Sequence, residues 1–590
     1  MTRRPLRPLA GIIGARSRGE DPARIEAHRK AERLHAERAQ ERRRAQWRLT
    51  LMGAFFICAF GTATARMAVV ANSDPEEPSA ISSSVPVSAD RADIVDRRGR
   101  VLATNLPTWA LYVQPNLMVD PRAAARGLSK VFPDIDAAAM EERIRRGRFF
   151  WVKQSISPEE RQRVHDIGEP GLQFAPRETR LYPAGRSVAH IIGAAGFGQL
   201  EVYAAELVGT AGVERWFDTR LRDPAKTGVP LELSIDLAAQ VAMHDVLEDA
   251  MERYTAKGAA GIVMDVHTGE IISMVSLPDF DPNHRPQDPS DPRLFNRAAQ
   301  GVYELGSTFK VINNALAMER GIARPDTLVN TSGPLLWGRF KISDMHNMPK
   351  QLSLTDVLVH SSNTGSARLA VMAGTKAQQD LLKRLGFFEP TSIQLGEAAQ
   401  AKPLLPGRWS ELSTMTISYG HGLAATPLHL AAAYATLTNG GLKVNPTLLH
   451  DPQAPTEADR VVSEETSLHL REMMRAVVER GTGKNAAVPG YMIGGKTGTA
   501  DKPQPTGGYS HNKVMATFAA VFPTSAPKYV VIVTLDEAST QAYGRTWRTA
   551  GWTAAPTMAN AIRRIAPVLG MRPLPKTGPQ EAPPPLLVRN

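Results

Sequence analysis

The chain has 590 residues, 43% hydrophobic and 22% charged, which allows several domains of roughly 100 to 200 residues and excludes a wholly disordered chain or a bundle of membrane spans. Its net charge is +11, but residues 1–48 hold 14 basic and 6 acidic side chains, so +8 is confined to an Arg-rich leader and nucleic acid is not indicated as a partner. A single cysteine, Cys58, excludes a disulfide framework, a cysteine-based zinc site and an iron–sulfur cluster.

After the leader, Leu49 to Ala65 is a run of 17 residues without a charge. At about 1.5 Å per residue it reaches about 25 Å across a hydrocarbon layer roughly 30 Å thick. The continuation through Ala71 completes a span over 49–71, with the Arg66 guanidinium snorkelling to the far interface and Trp47 at the near one. Arg42, Arg43, Arg44 and Arg48 crowd the N-terminal side, which keeps the leader in the cytoplasm and exports everything after residue 71. A cleaved signal peptide competes, because Ala63–Thr64–Ala65 has the small-x-small form, but a 48-residue charged leader is too long for that class.

Residues 72–90 are polar and rich in Ser and Pro, as a flexible tether is. From 91 to 230, strand-like runs such as Ala110–Val113 mix with short helical patterns and predict a small mixed α/β module. Over 231–568 the signals sharpen. Leu237–Tyr254 has helical spacing, 259–265 and 270–275 read as strands joined by the turn 266–269, and Ala516–Val521 with Tyr529–Leu535 form a second strand pair. Helix-rich sequence lies between the two pairs, which predicts an α+β fold: an antiparallel sheet carrying a large helical insertion. Residues 569–590, with Pro573, Pro575, Pro579 and Pro583–Pro585, read as an unstructured tail.

Three short motifs carry chemistry: Ser307–Thr308–Phe309–Lys310, Ser361–Ser362–Asn363 and Lys496–Thr497–Gly498. Each is weak alone, and the chain holds decoys at Ser525–Lys528, Ser510–Asn512, Lys226–Gly228 and Lys576–Gly578. Context separates them. Ser307 opens a helical pattern that Gly321 caps, so Ser307 and Lys310 share one face of its first turn, whereas Ser525 sits in a proline-bracketed turn. Lys496 follows Gly494–Gly495 and precedes the Ala516 strand, as an edge strand lining a cleft does. The order of the three motifs makes the set specific.

A serine hydroxyl needs a base, and a lysine serves as one only with a depressed pKa, which burial and the nearby Lys496 cation both promote. The Ser307 amide at a helix start and a strand amide near Thr499 would donate to an oxyanion. Ser361 can pass a proton to a leaving amine, and Asn363 can hold a substrate backbone through its carbonyl oxygen and NH₂. Lys496 with Thr497 and Thr499 makes a cationic, hydroxyl-lined patch for a terminal carboxylate. The set fits acyl transfer on a peptide with a free C-terminus, and it calls for no cofactor and no metal.

With these motifs the chain resembles the class B high-molecular-weight penicillin-binding proteins. Segments Arg91–Gly99, Tyr182–Pro183, Ala189–His190, Gly212–Glu214 and Phe217–Asp218 resemble the family's N-terminal pedestal. Gly269–Glu270, Met274–Ser276, Asp281–Asn283 and Asn296–Arg297 resemble the approach to the nucleophile, and Thr426–Pro427 with Ala431 the helix before the third motif. Leu305 departs from the pattern, since the family usually has proline there. The resemblance implies a pedestal of the dimerisation type over 91–230 and a penicillin-binding, serine β-lactamase-like transpeptidase domain over 231–568. It also implies Ser307 as acyl-enzyme nucleophile, Lys310 as its base, Gly498 in the substrate-binding strand, peptidoglycan stem peptides ending in D-Ala-D-Ala as substrate and β-lactams as covalent inhibitors. Asn363, and Lys-Thr-Gly-Thr-Ala500 followed by Gly507–Gly508–Tyr509, are similar to the septal, division-specific (FtsI) type. That type works at the division septum with a membrane glycosyltransferase of the division complex. An elongation-specific transpeptidase, a carboxypeptidase or β-lactamase, and a non-catalytic β-lactam sensor are the alternatives.

Overall fold

The computed structural model describes residues 18–19, 22–72, 91–197, 207–226, 228–450, 454–504 and 507–574, in two units divided between Val87 and Ser88. The expected tether after residue 72 and the tail from residue 575 lie outside the described residues.

The first unit is one helix, α1 (Pro22–Asn72). No Gly or Pro interrupts residues 23–52, and Ala, Glu and Arg favour helix, so the leader runs into the apolar segment without a break. Among the described residues one segment, Gln46–Thr64, is long and apolar enough to cross a membrane, with a mean hydropathy of 1.2. Its hydroxyls are satisfied within the helix: Thr62 donates to Cys58 O at 2.6 Å and Thr64 to Phe60 O at 2.7 Å.

The second unit opens with a sheet built on a long strand. After β1 (Ile94–Val95), β2 (Val101–Val113) pairs antiparallel with β1, with β3 (Phe150–Ile156) and with β4 (Leu172–Leu181). Helices α2 (Pro121–Val131), α3 (Ala137–Arg145) and α4 (Pro158–His165) cover it, placing Leu128, Ile144 and Val164 against Leu111 and Val113. Asp120, Asp136 and Ser157 cap these helices, the last in a reciprocal box with Glu160. The strand β5 (Leu231–Glu232) pairs in parallel with β1, so the expected boundary at residue 230 falls one residue before a strand of the pedestal's own sheet.

Beneath the short helix Gly212–Trp216 lies a buried ion cluster. The Glu214 carboxylate, with no solvent exposure, accepts from Arg91 Nε at 2.6 Å and Arg180 Nε at 2.7 Å, and Arg91 also donates to Asp218 at 2.7 Å. Asn105 Oδ1 takes a further Arg180 N–H at 2.9 Å.

Downstream come α5 (Leu237–Arg253), β6 (Gly258–Asp265), β7 (Ile271–Leu277), α6 (Phe309–Glu319), the hairpin β8 (Leu335–Trp337) and β9 (Phe340–Ile342), and α7 (Asn363–Ala373). They are followed by α8 (Pro427–Thr438), α9 (Glu464–Arg480), β10 (Gly494–Pro503), β11 (Tyr509–Phe522), β12 (Tyr529–Asp536) and α10 (Ala554–Val568). One antiparallel sheet runs β10-β11-β12-β6-β7, so the two strand pairs far apart in sequence meet where β12 pairs with β6. Helices cover both faces, which is why these strands are apolar on both sides. Met243, Leu247, Met558 and Ile562 pack on Val263, Val531 and Val533, while Leu430 and Tyr434 of the fully buried α8 join Ile262 and Ile532.

Two expectations shift. The Thr426-capped helix is α8, but α9 intervenes before the third motif. Residues 569–574, expected in the tail, pack on the body: Leu574 N donates to Gly490 O at 2.7 Å and Tyr491 Oη to Met571 O at 3.2 Å, because Met571 extends the apolar contact of α10.

The ion cluster yields a stability prediction. Glu214→Ala leaves two guanidiniums buried without their shared carboxylate and lowers stability by about 3–5 kcal/mol, measured by denaturant unfolding of the full chain. A change below about 1 kcal/mol contradicts it.

Candidate active site

α6 is entered through a single 3₁₀ turn, Gly306–Thr308, which leaves Ser307 partly exposed and aims Lys310 into the interior, where it has no solvent exposure. The turn is pressed against β10. A Cβ on Gly306, whose φ is +56°, would lie 2.7 Å from Thr499 O, and one on Gly498 would lie 2.3 Å from Leu305 O. Leu305 occupies the position where proline was expected. Its side chain is buried and its carbonyl accepts from Thr308 Oγ1 at 2.9 Å, so the turn closes without the ring.

Ser361 precedes α7 in a left-handed conformation, φ +61°, which costs a non-glycine residue about 1–3 kcal/mol. Surrounding bonds hold it there. Lys310 Nζ donates to Ser361 O at 2.6 Å and to Asn363 Oδ1 at 2.7 Å, and lies 3.0 Å from both Ser307 Oγ and Ser361 Oγ. On the far side Lys496 Nζ donates to Ser361 Oγ at 3.0 Å and to Thr497 O at 3.1 Å. Ser361 therefore bridges two lysine amines.

Both amines are dry. Burial, reinforced by the Lys496 cation and opposed by Asp344, pushes Lys310 well below the usual lysine range. Burial also brings Lys496 down to about 7. A neutral Lys310 has two N–H groups and one lone pair. The two short contacts, to Ser361 O and Asn363 Oδ1, use the N–H groups and leave the lone pair for the Ser307 hydroxyl.

Asn363 departs from its expected part. Its oxygen accepts from Lys310 Nζ and its Nδ2 donates to Ser343 O at 3.0 Å, so it positions the amine and keeps one amide hydrogen for a substrate. Thr497 Oγ1 lies 2.8 Å from Thr482 Oγ1, beside Lys496, and Thr499 Oγ1 accepts from Ala550 N at 3.0 Å. The decoys stand apart. Ser525 is in the turn after β11, where its carbonyl accepts from Arg471, Ser510 lies on β11, Lys226 is in a 3₁₀ turn, and Lys576 is outside the described residues.

Two groups have no motif to announce them. Asp344, in the loop after β9, accepts from the Asn363 and Thr364 amides and from the Ser362 and Thr364 hydroxyls, complementing the N-terminus of α7. Glu304, three residues before Ser307, accepts from His421 Nδ1 at 3.0 Å, Gly422 N at 2.8 Å and Tyr509 Oη at 2.8 Å. Burial works to raise its pKa, but these hydrogen bonds outweigh burial and hold the carboxyl below the usual range. Tyr509, His421 and Tyr419 line an open cavity of about 360 Å³ that continues the cleft from Asn363 to Lys341.

Residues 259–559 match the penicillin binding protein transpeptidase domain and residues 86–227 the penicillin-binding protein dimerisation domain. The chain is 38% identical over 497 residues, 82% of each chain, to the probable peptidoglycan D,D-transpeptidase FtsI of Caulobacter vibrioides. It is 30% identical over 489 residues, 76% of this chain and 80% of the relative, to the peptidoglycan D,D-transpeptidase FtsI of Escherichia coli K12. In fold it is similar to penicillin binding protein 3 of Mycobacterium tuberculosis, complexed with ampicillin, with a TM-score of 0.64 and 24% identity over 83% of this chain and 98% of that one. With its motif side chains gathered around two buried amines and both domains matched in order, the chain belongs to the class B penicillin-binding proteins.

Proposed function

We propose that this protein is a peptidoglycan D,D-transpeptidase that cross-links stem peptides at the division septum through a Ser307 acyl-enzyme, and that β-lactams acylate the same serine. One observation supports this above the rest: two buried amines bracket Ser361, and one of them, Lys310, whose pKa burial lowers, lies 3.0 Å from Ser307 Oγ.

In this reading Lys310 takes the Ser307 proton as Oγ attacks the carbonyl between the last two D-Ala residues. The Ser307 and Thr499 amides receive the oxyanion. When the C–N bond breaks, the proton passes from Lys310 through Ser361 Oγ to the leaving D-Ala amine. An acceptor amine then attacks the ester, the proton returns along the same route, and Ser307 is freed. Lys496, Thr497 and Thr499 hold the terminal carboxylate, with Gly498 allowing the strand to approach. A β-lactam places its ring amide where the peptide bond would lie, and its leaving nitrogen stays tethered, so the acyl-enzyme persists.

The leader 1–48 is cytoplasmic in this proposal, 49–71 is a single-pass anchor, 72–90 a tether, 91–230 a pedestal and 231–568 a periplasmic catalytic domain. A membrane glycosyltransferase of the division complex supplies the glycan strands. Asn363 and Thr497 at their motif positions favour the septal over the elongation type, and an anchored two-domain chain with every catalytic side chain present disfavours a secreted β-lactamase or a sensor.

Ser307→Ala abolishes covalent labelling by a fluorescent penicillin, and the wild-type label maps to Ser307 by peptide mass; a label on Ser525 overturns the assignment. Lys310→Ala slows acylation by about 10²–10⁴. Acylation requires Lys310 neutral and Lys496 charged. The rate therefore rises with pH as Lys310 loses its proton, and falls as Lys496 loses its own at about 7. Lys496→Arg, whose guanidinium stays charged, moves the falling limb to higher pH. Stopped-flow labelling across pH reads both limbs, and a rate that does not fall above pH about 7 removes Lys496 as the charged partner.

A further inference from the structure

The β8–β9 hairpin carries aromatic side chains that the body leaves uncovered. Its register pairs Leu335 with Ile342, Leu336 with Lys341 and Trp337 with Phe340, so Leu335, Ile342, Trp337 and Phe340 share one face. The inner half of that face is filled: Ile342 is buried with Ala367 and Met415, and Leu335 and Tyr419 pack on them. The outer half runs past the body and leaves Trp337 40% and Phe340 46% exposed. Leu336, 68% exposed, is on the opposite face. Arg339 lies over the Phe340 ring, 5.3 Å from its centroid.

Phe340 directly precedes the residues of β9 that line the cleft. Ser343, which follows β9, accepts the Asn363 amide, and Lys341, Ile342 and Ser343 line the open cavity together with Asn363 and Tyr509. At about 3.3 Å per residue, Phe340 lies about 10 Å along the strand from Ser343. A stem peptide with its C-terminal end at Ser307 has its other end a few residues away, and that end is carried on a strand of N-acetylated amino sugars. A pyranose ring presents a face of C–H groups that stacks on an aromatic ring, and its oxygens accept from cationic side chains.

We infer that Trp337 and Phe340 form a saccharide-stacking subsite for the amino sugar that bears the stem peptide, with Arg339 donating to its oxygens. The inference rests on the transpeptidase reading. The size of the platform favours a sugar over a protein partner. Two half-exposed rings offer at most about 150–250 Å² each, which suits one or two sugar rings, whereas a stable protein interface needs about 800 Å² per side.

The test compares two substrates on the full chain in detergent micelles: a disaccharide pentapeptide of N-acetylglucosamine and N-acetylmuramic acid, and the same pentapeptide without sugar. Release of D-Ala gives KM and kcat for each. The wild type shows a KM about tenfold lower for the glycosylated substrate, a difference of about 1.4 kcal/mol. Trp337→Ala and Phe340→Ala erase that advantage with kcat, the free-peptide KM and penicillin labelling unchanged, Trp337→Tyr retains most of it, and Leu336→Ala retains all of it. The inference is overturned if the wild type treats both substrates alike, if Trp337→Ala raises both KM values equally, or if Leu336→Ala matches Trp337→Ala, which would mark the hairpin as a general hydrophobic dock. Failure of the wild type to label at Ser307 defeats the transpeptidase reading itself, a result separate from these.

Discussion

The architecture of the site follows from the burial of two lysine amines in one dry pocket. An ammonium taken from water loses its solvation, so each amine either sheds its proton or finds oxygen acceptors around it. Burial lowers the pKa of both Lys310 and Lys496, both find oxygen acceptors, and the oxygens they require explain the neighbouring backbone. Ser361 is held in a left-handed conformation because that geometry brings its carbonyl and hydroxyl to Lys310 while its hydroxyl also reaches Lys496. Asn363 places its oxygen against Lys310 because Ser343 fixes the other end of its amide, and Asp344 holds the helix start that carries it.

That pocket makes demands on the larger fold. Lys496 reaches Ser361 from an edge strand: among the described residues β10 pairs only with β11 and keeps its other side for the nucleophile's turn. The turn approaches the strand closely enough that side chains at Gly306 or Gly498 would collide with backbone. Behind it, α6 is buried nearly all round, with Phe309 and Ile312 in the main core, which gives the helix no freedom to withdraw Lys310. The strain at Ser361 is therefore opposed by the packing of a whole domain.

The pedestal is stabilised on a different principle. Beside the apolar core that its sheet forms with α2, α3 and α4, it holds the buried Glu214 carboxylate, whose two arginines arrive from the first folded segment and from β4. Charges buried this way leave few alternative packings, because any displacement strands a guanidinium.

Much of this was legible in the residues. Uncharged length announced the apolar segment, short continuous apolar runs announced β6, β7, β11 and β12, and the spacing within each motif announced which serine and lysine lie on one helical face, because these are local properties of chain geometry. The α+β class followed from the order of such runs. What one residue's neighbours do not encode came only with folding. Asp344 and Glu304 carry no motif, since their partners lie 18 or more residues away and are joined by the packing of separate elements. The motif alone reads Asn363 as a substrate clamp, and only the fold sets Lys310 beside its oxygen. The docking of residues 569–574 on the body was likewise invisible in a proline-rich stretch, because it depends on the apolar surface that α10 and Tyr491 present. Side-chain type and spacing determine which chemistry a segment can perform; which oxygen meets which amine is decided by contacts between segments distant in the chain, and only the folded protein makes them.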